Sequence, residues 1–152
     1  MNNQIDNIKK TRSIILELIS DLSTEQLNII PKAFNNNIIW NLGHLIAVQE
    51  SLFYLRAGLP INLDQDFFNS FKNGSKPDHE FNTEEINLIK ILLISSLEHF
   101  DRYLNMKIFN NYQGWKTRFN FEISTIEDAL NFIPFHEGLH IGYIMGYKKI
   151  II

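Results

Sequence analysis

The chain has 152 residues, 45% hydrophobic and 20% charged, with a net charge of −3 and a pI near 5.9. These values describe one globular domain over residues 1–152, exclude a disordered chain, and argue against nucleic acid, which calls for a basic footprint. The lack of cysteine excludes disulfides, thiolate ligands and a cysteine nucleophile, so any thiol in the chemistry arrives with a substrate.

No apolar stretch reaches the roughly 18 residues of a membrane span, and Met1-Asn2-Asn3-Gln4-Ile5-Asp6 does not read as a signal peptide. No membrane partner is expected, and the cytoplasm is the expected location.

The first helix is read over residues 3 to 22. Ile8, Thr11, Ile15, Leu18 and Leu22 recur at three- and four-residue steps, which gives one buried face. Ser23-Thr24-Glu25-Gln26 then spells a capping box for a short helical piece that stops near Pro31. A second long helix is expected from Asn36 to Ala57, ended by Gly58-Leu59-Pro60. It is apolar nearly all round and therefore central. His44 lies between Trp40 and Val48 on one of its sides, directly after Gly43, a residue that lets another backbone approach.

Residues 58 to 82 form a long connection of the lid or rim kind, with a helical piece at Asp64 to Phe71 and turn chemistry at Asn73-Gly74-Ser75-Lys76-Pro77. A third long helix runs from Thr83 to about Met106, capped by Asn82 or Thr83. His99 projects about 140° or more from the centre of its inner stripe. The aromatic stretch that follows has Phe119, Phe121 and Ile123 in alternation, a candidate short extended piece. Ser124-Thr125-Ile126-Glu127 caps a last helix to about Tyr147, and Pro134 within it should bend it. Four long helices with short pieces between them make an all-α four-helix bundle with long connections.

That last helix carries His136-Glu137-Gly138-Leu139-His140. Four residues advance a helix by about 400°, so both imidazoles stand on one face, spaced to share a metal ion. The letters also spell the zinc-protease signature, but a protease of that type packs its helix against a sheet, and no convincing strands are present here. A metal needs at least one more ligand, and residues 141 to 152 contain no His, Asp, Glu or Cys. His79 sits in a polar turn, and His99 faces outward. His44 alone is on the buried side of a buried helix. Three buried imidazoles without a metal would each need a polar partner in an apolar core, whereas a metal satisfies all three. Glu137 is a candidate base or supporting carboxylate, or else a solvated or structural one. Tyr143, one turn beyond His140, either lines a pocket or is plain core.

Trp40-Asn41-Leu42-Gly43-His44-Leu45, Phe71-Lys72-Asn73-Gly74-Ser75 and His136-Glu137-Gly138-Leu139-His140-Ile141-Gly142 together resemble the landmarks of the DinB/YfiT-like metalloprotein superfamily. The likeness in order and spacing covers nearly the whole chain. It implies a four-helix bundle with one histidine on the second helix and an H-x-x-x-H pair on the last. It also implies a divalent-metal site that transfers a low-molecular-weight thiol to an electrophilic co-substrate, as in the bacillithiol- and mycothiol-dependent members. Tyr143 stands where the family often has Gln, so the substrate is not carried across. Three neutral imidazoles suit Zn, Ni or Fe. A metal-dependent hydrolase and a non-catalytic metal-binding bundle stay open as alternatives. A two-fold homodimer is expected from the long helical faces and from relatives.

Overall fold

The computed structural model describes residues 2–104, 106 and 108–152, and of Asn2, His99 and Asp101 the backbone alone. In chain order the elements are α1 (Asn2–Leu18), the short α2 (Thr24–Asn28), α3 (Ile38–Phe53) and the short α4 (Gln65–Phe71). After them come α5 (Thr83–Leu104), β1 (Trp115–Lys116), β2 (Glu122–Ile123) and α6 (Ile126–Ile151). The long helices α1, α3, α5 and α6 form the expected all-α bundle, with α1 and α3 each packed against both α5 and α6. Among the described residues no helix is long and apolar enough to cross a membrane.

Local chemistry sets the boundaries. Ser23 forms the expected capping box: its Oγ accepts from Gln26 N at 3.2 Å while Gln26 Oε1 accepts from Ser23 N at 2.9 Å. The helix expected from Asn36 begins at Ile38, because Asn37 Oδ1 accepts from Trp40 N at 2.8 Å and makes Asn37 the cap. It ends at Phe53 rather than Ala57. Residues Leu55–Ala57 tighten into a 3-10 turn, and Gly58 at φ 71° leads the chain away. At the start of α6 the cap is Thr125, not Ser124, since Thr125 Oγ1 accepts from Asp128 N at 3.1 Å while the Asp128 carboxylate accepts from Thr125 N at 3.0 Å. That helix continues to Ile151, past the expected Tyr147, with Lys148 bonded to Asp21 and to the Leu18 carbonyl. α1 is shorter than expected, yet Ile19 and Leu22 beyond it are still buried.

Burial of α3 is nearly complete, with His44, Gln49 and Glu50 among its buried residues, which makes it the central helix. The apolar core divides in two. One part joins Ile15, Ile39, Leu42, Leu93 and Ile144; the other joins Ile8, Phe53, Leu97, Phe100 and Ile133. On each long helix a buried polar residue falls between the two sets: Arg12, Gln49, Ser96 and Glu137. They bond to one another, so a polar layer crosses the bundle.

The extended piece expected around Phe119 and Phe121 is smaller than the alternation suggested. Only Glu122–Ile123 pairs, antiparallel, with Trp115–Lys116. Phe119 and Phe121 instead flank Asn120, which takes φ 71°, in the turn between the strands. They pack on α6, Phe119 on Phe135 at 5.4 Å between ring centroids and Phe121 on Phe135 at 5.0 Å. The hairpin is thus held over the helix that carries the histidine pair.

Candidate metal centre

His44 on α3 and His136 and His140 on α6 converge. Each offers one ring nitrogen, and the three nitrogens lie within 4.8 Å of one another. Ring centroids are 4.6 Å apart for His136 and His140, 5.0 Å for His44 and His140, and 5.5 Å for His44 and His136.

The neighbours of His44 explain its orientation. Its Nδ1 lies 2.7 Å from the Phe71 carbonyl oxygen. A carbonyl only accepts, so Nδ1 carries the proton and Nε2 keeps its lone pair. Trp40 stacks on the imidazole at 4.6 Å, with its own indole N–H donating to Ser70 O and Ser75 Oγ. Gly43 makes room for a side chain rather than for the expected backbone: a Cβ there would overlap the Phe71 ring, so any other residue would displace Phe71, whose carbonyl holds His44.

His140 is oriented in the same way. Its Nδ1 donates to Asn41 Oδ1 at 2.7 Å. Asn41 Nδ2 donates to Asn37 O and Asn36 Oδ1, which fixes which end of the amide faces the imidazole. Asn36 Oδ1 also accepts from Tyr147 OH at 2.7 Å, which ties α6 to the segment leading into α3. His136 differs, because its buried Nδ1 has no protein partner. One nitrogen from each of three imidazoles, all within 4.8 Å of one another, is a donor set that fits a divalent cation.

Protonation is disfavoured at all three. Burial comes first, pushing His136 down to about 4 and His140 down to about 2, with the neighbouring imidazoles and Arg118 adding to the effect. His44 is lowered by burial and by Arg118, while its bond to the Phe71 carbonyl opposes them. At neutral pH the cluster presents three uncharged nitrogens, the form a metal needs.

A cavity of about 650 Å³ opens on the three histidines, walled also by Trp40, Leu139 and Tyr143. Tyr143 is half-exposed at its edge, its ring 6.3 Å from that of His140. The long connection supplies Lys72 and Asn73 to the cavity wall, so it does form a rim.

Glu137 is not on that wall. It points into the bundle, where its Oε1 accepts from Arg12 Nε at 2.8 Å, both side chains being buried. Burial raises its carboxyl and the Arg12 charge opposes the rise. Arg12 Nη1 also donates to Gln49 Oε1 and to the Leu93 carbonyl, each at 2.8 Å. His79 is exposed and paired with Asp78 and Glu85, as a solvated histidine should be. The His99 side chain lies outside the described residues.

Sequence reasoning missed the orienting role of Asn41, although its place one turn before His44 was a usable signal. It also missed Arg12, whose position between Ile8 and Ile15 on the buried stripe marked it as interior.

The family model described as the DinB superfamily matches residues 7–144. No curated protein matches the chain.

Proposed function

The chain belongs to the DinB superfamily, and on that premise we propose that it is a divalent-metal-dependent enzyme transferring a low-molecular-weight thiol to an electrophile. The observation that carries the reading is the placement of three neutral imidazoles on the wall of a cavity of about 650 Å³, where co-substrates have room beside them. Zn, Ni or Fe held by His44, His136 and His140 would stabilise a thiolate at neutral pH.

The chain's own residues do the rest. Asn41 and the Phe71 carbonyl hold His140 and His44 in one tautomer and one orientation. Trp40, stacked on His44, and Leu139 give the cavity apolar wall that limits water. Tyr143 at the edge contacts the electrophile. Glu137 holds α6 in place through Arg12 and takes no proton from substrate. In the overall change the thiol sulfur bonds to the electrophilic carbon, the leaving group departs with its bonding pair, and the thiol proton passes to solvent. The chain has no sulfhydryl of its own, so the sulfur comes from a co-substrate.

The test measures metal content and thiol-transfer rate, against a generic electrophile, for wild type, His44→Ala and His79→Ala. His44→Ala should lose both properties, and His79→Ala neither. Equal metal content in His44→Ala and wild type would overturn the ligand set. Loss of metal without loss of transfer would reduce the site to a structural one. Ester hydrolysis with no thiol transfer would favour a hydrolase.

A further inference from the structure

Charge in the cavity runs against charge in the chain. The sequence has 17 acidic residues to 14 lysines and arginines, yet the cavity is lined by Arg56, Lys72 and Arg118 and by no Asp or Glu. None of these three cations has a carboxylate partner among the described residues; Lys72 donates to Asn69 Oδ1. A concave surface lined by one sign of charge concentrates ions of the other sign.

The two arginines are also held in place. The Arg118 guanidinium lies over the Phe119 ring, 4.8 Å from its centroid, and Phe119 packs on Phe135, the residue before His136. The Arg56 guanidinium lies over Trp115, also at 4.8 Å. A guanidinium laid on a ring face keeps its N–H edge free, and that edge matches the two oxygens of a carboxylate or phosphate. Lys72 directly follows Phe71, whose carbonyl holds His44, so a positive charge flanks the cluster from α4 as well as from the hairpin.

We infer that one co-substrate carries an oxyanion group, a carboxylate or a phosphate, bound by Arg118 beside the histidine cluster, with Lys72 and Arg56 adding to the positive field. This rests on the thiol-transfer reading only in calling the bound molecule a co-substrate. Anion binding itself requires neither turnover nor metal.

The two tryptophans of the chain, Trp40 and Trp115, both line the cavity, so intrinsic fluorescence reports on it directly. Succinate, inorganic phosphate and uncharged succinamide are titrated into the protein as purified, and again after its metal has been removed by dialysis against chelator. Variants are Arg118→Ala, on the exposed hairpin turn, and Lys10→Ala as a control for net charge.

Saturable binding of succinate or phosphate, with or without metal, is expected, and the tighter of the two names the group. Binding should weaken about tenfold or more in Arg118→Ala, as for a lost charge-assisted pair, and stay unchanged in Lys10→Ala. Succinamide should leave the emission unchanged. Succinamide binding as well as succinate, wild-type affinity in Arg118→Ala, or anion binding that disappears with the metal would each overturn the subsite. Arg118-dependent binding in a protein that transfers no thiol would support the subsite while overturning the thiol-transfer reading.

Discussion

His140 Nδ1 and Asn41 Oδ1 meet at 2.7 Å across the interface between α6 and α3, so the helix that carries two of the ligand histidines is keyed to the helix that carries the third. The bond fixes the His140 tautomer and aims its Nε2 at the cluster. Asn41→Leu should therefore lower metal affinity about 10- to 100-fold, the usual effect of losing a group that orients a ligand. Competition titration against a chromophoric chelator reads this directly; an unchanged affinity would show that packing alone orients the ring.

Gly43→Ala tests the close packing of Phe71 on α3. Its Cβ would overlap the Phe71 ring, and relief requires Phe71 to shift. Overpacking of this kind costs about 1–3 kcal/mol. The same movement lengthens the bond from His44 Nδ1 to the Phe71 carbonyl, so stability in urea and metal affinity should fall together.

Arg12 and Glu137 form a buried pair, and removing one partner strands the other. Arg12→Met should destabilise the fold by about 3–5 kcal/mol. Glu137→Gln, which keeps an acceptor for Arg12 Nε, should cost less. Metal content in folded Glu137→Gln should equal that of wild type, because the carboxylate faces the bundle rather than the cavity. A large fall in turnover at unchanged stability would restore Glu137 as a proton carrier.

The histidines give metal-free protein a pH signature. His136 and His140 are depressed to about 4 and about 2, below the ordinary 6.5, so the unfolded chain binds these protons first. Their contribution to stability is fully present above pH 6.5 and declines as pH falls, from 6.5 to about 4 for His136 and on to about 2 for His140. Each histidine contributes a slope of up to about 1.4 kcal/mol per pH unit there. Glu50 and Glu137, both raised by burial, act in the opposite direction, and the comparison with His136→Gln removes their effect. The variant should lose less stability than wild type between pH 6.5 and 5. Imidazole nitrogen shifts should show His79, raised by Asp78 and Glu85, charged at pH 6 while the cluster is neutral.

The sequence alone determined the bundle, because apolar residues at helical steps on four segments leave few other ways to bury their faces. It also brought His44, His136 and His140 together: the pair through helix geometry, and the third through the elimination of exposed alternatives. The i,i+4 spacing that put both histidines on one face left Glu137, between them in sequence, open as a base, a supporting group or a structural carboxylate.

Whether Glu137 meets solvent, substrate or Arg12 depends on how α1 packs against α6, a contact between residues 125 positions apart. The Asn41 bond to His140 spans 99 positions and likewise has no signature in local pattern. The cationic lining of the cavity was hidden for the same reason. Arg56, Lys72 and Arg118 come from three separate loops or helix ends, and only the folded chain gathers their charges around one space. Period and propensity act over a few neighbouring residues, whereas these charge and hydrogen-bond partners are chosen by the packing of whole helices.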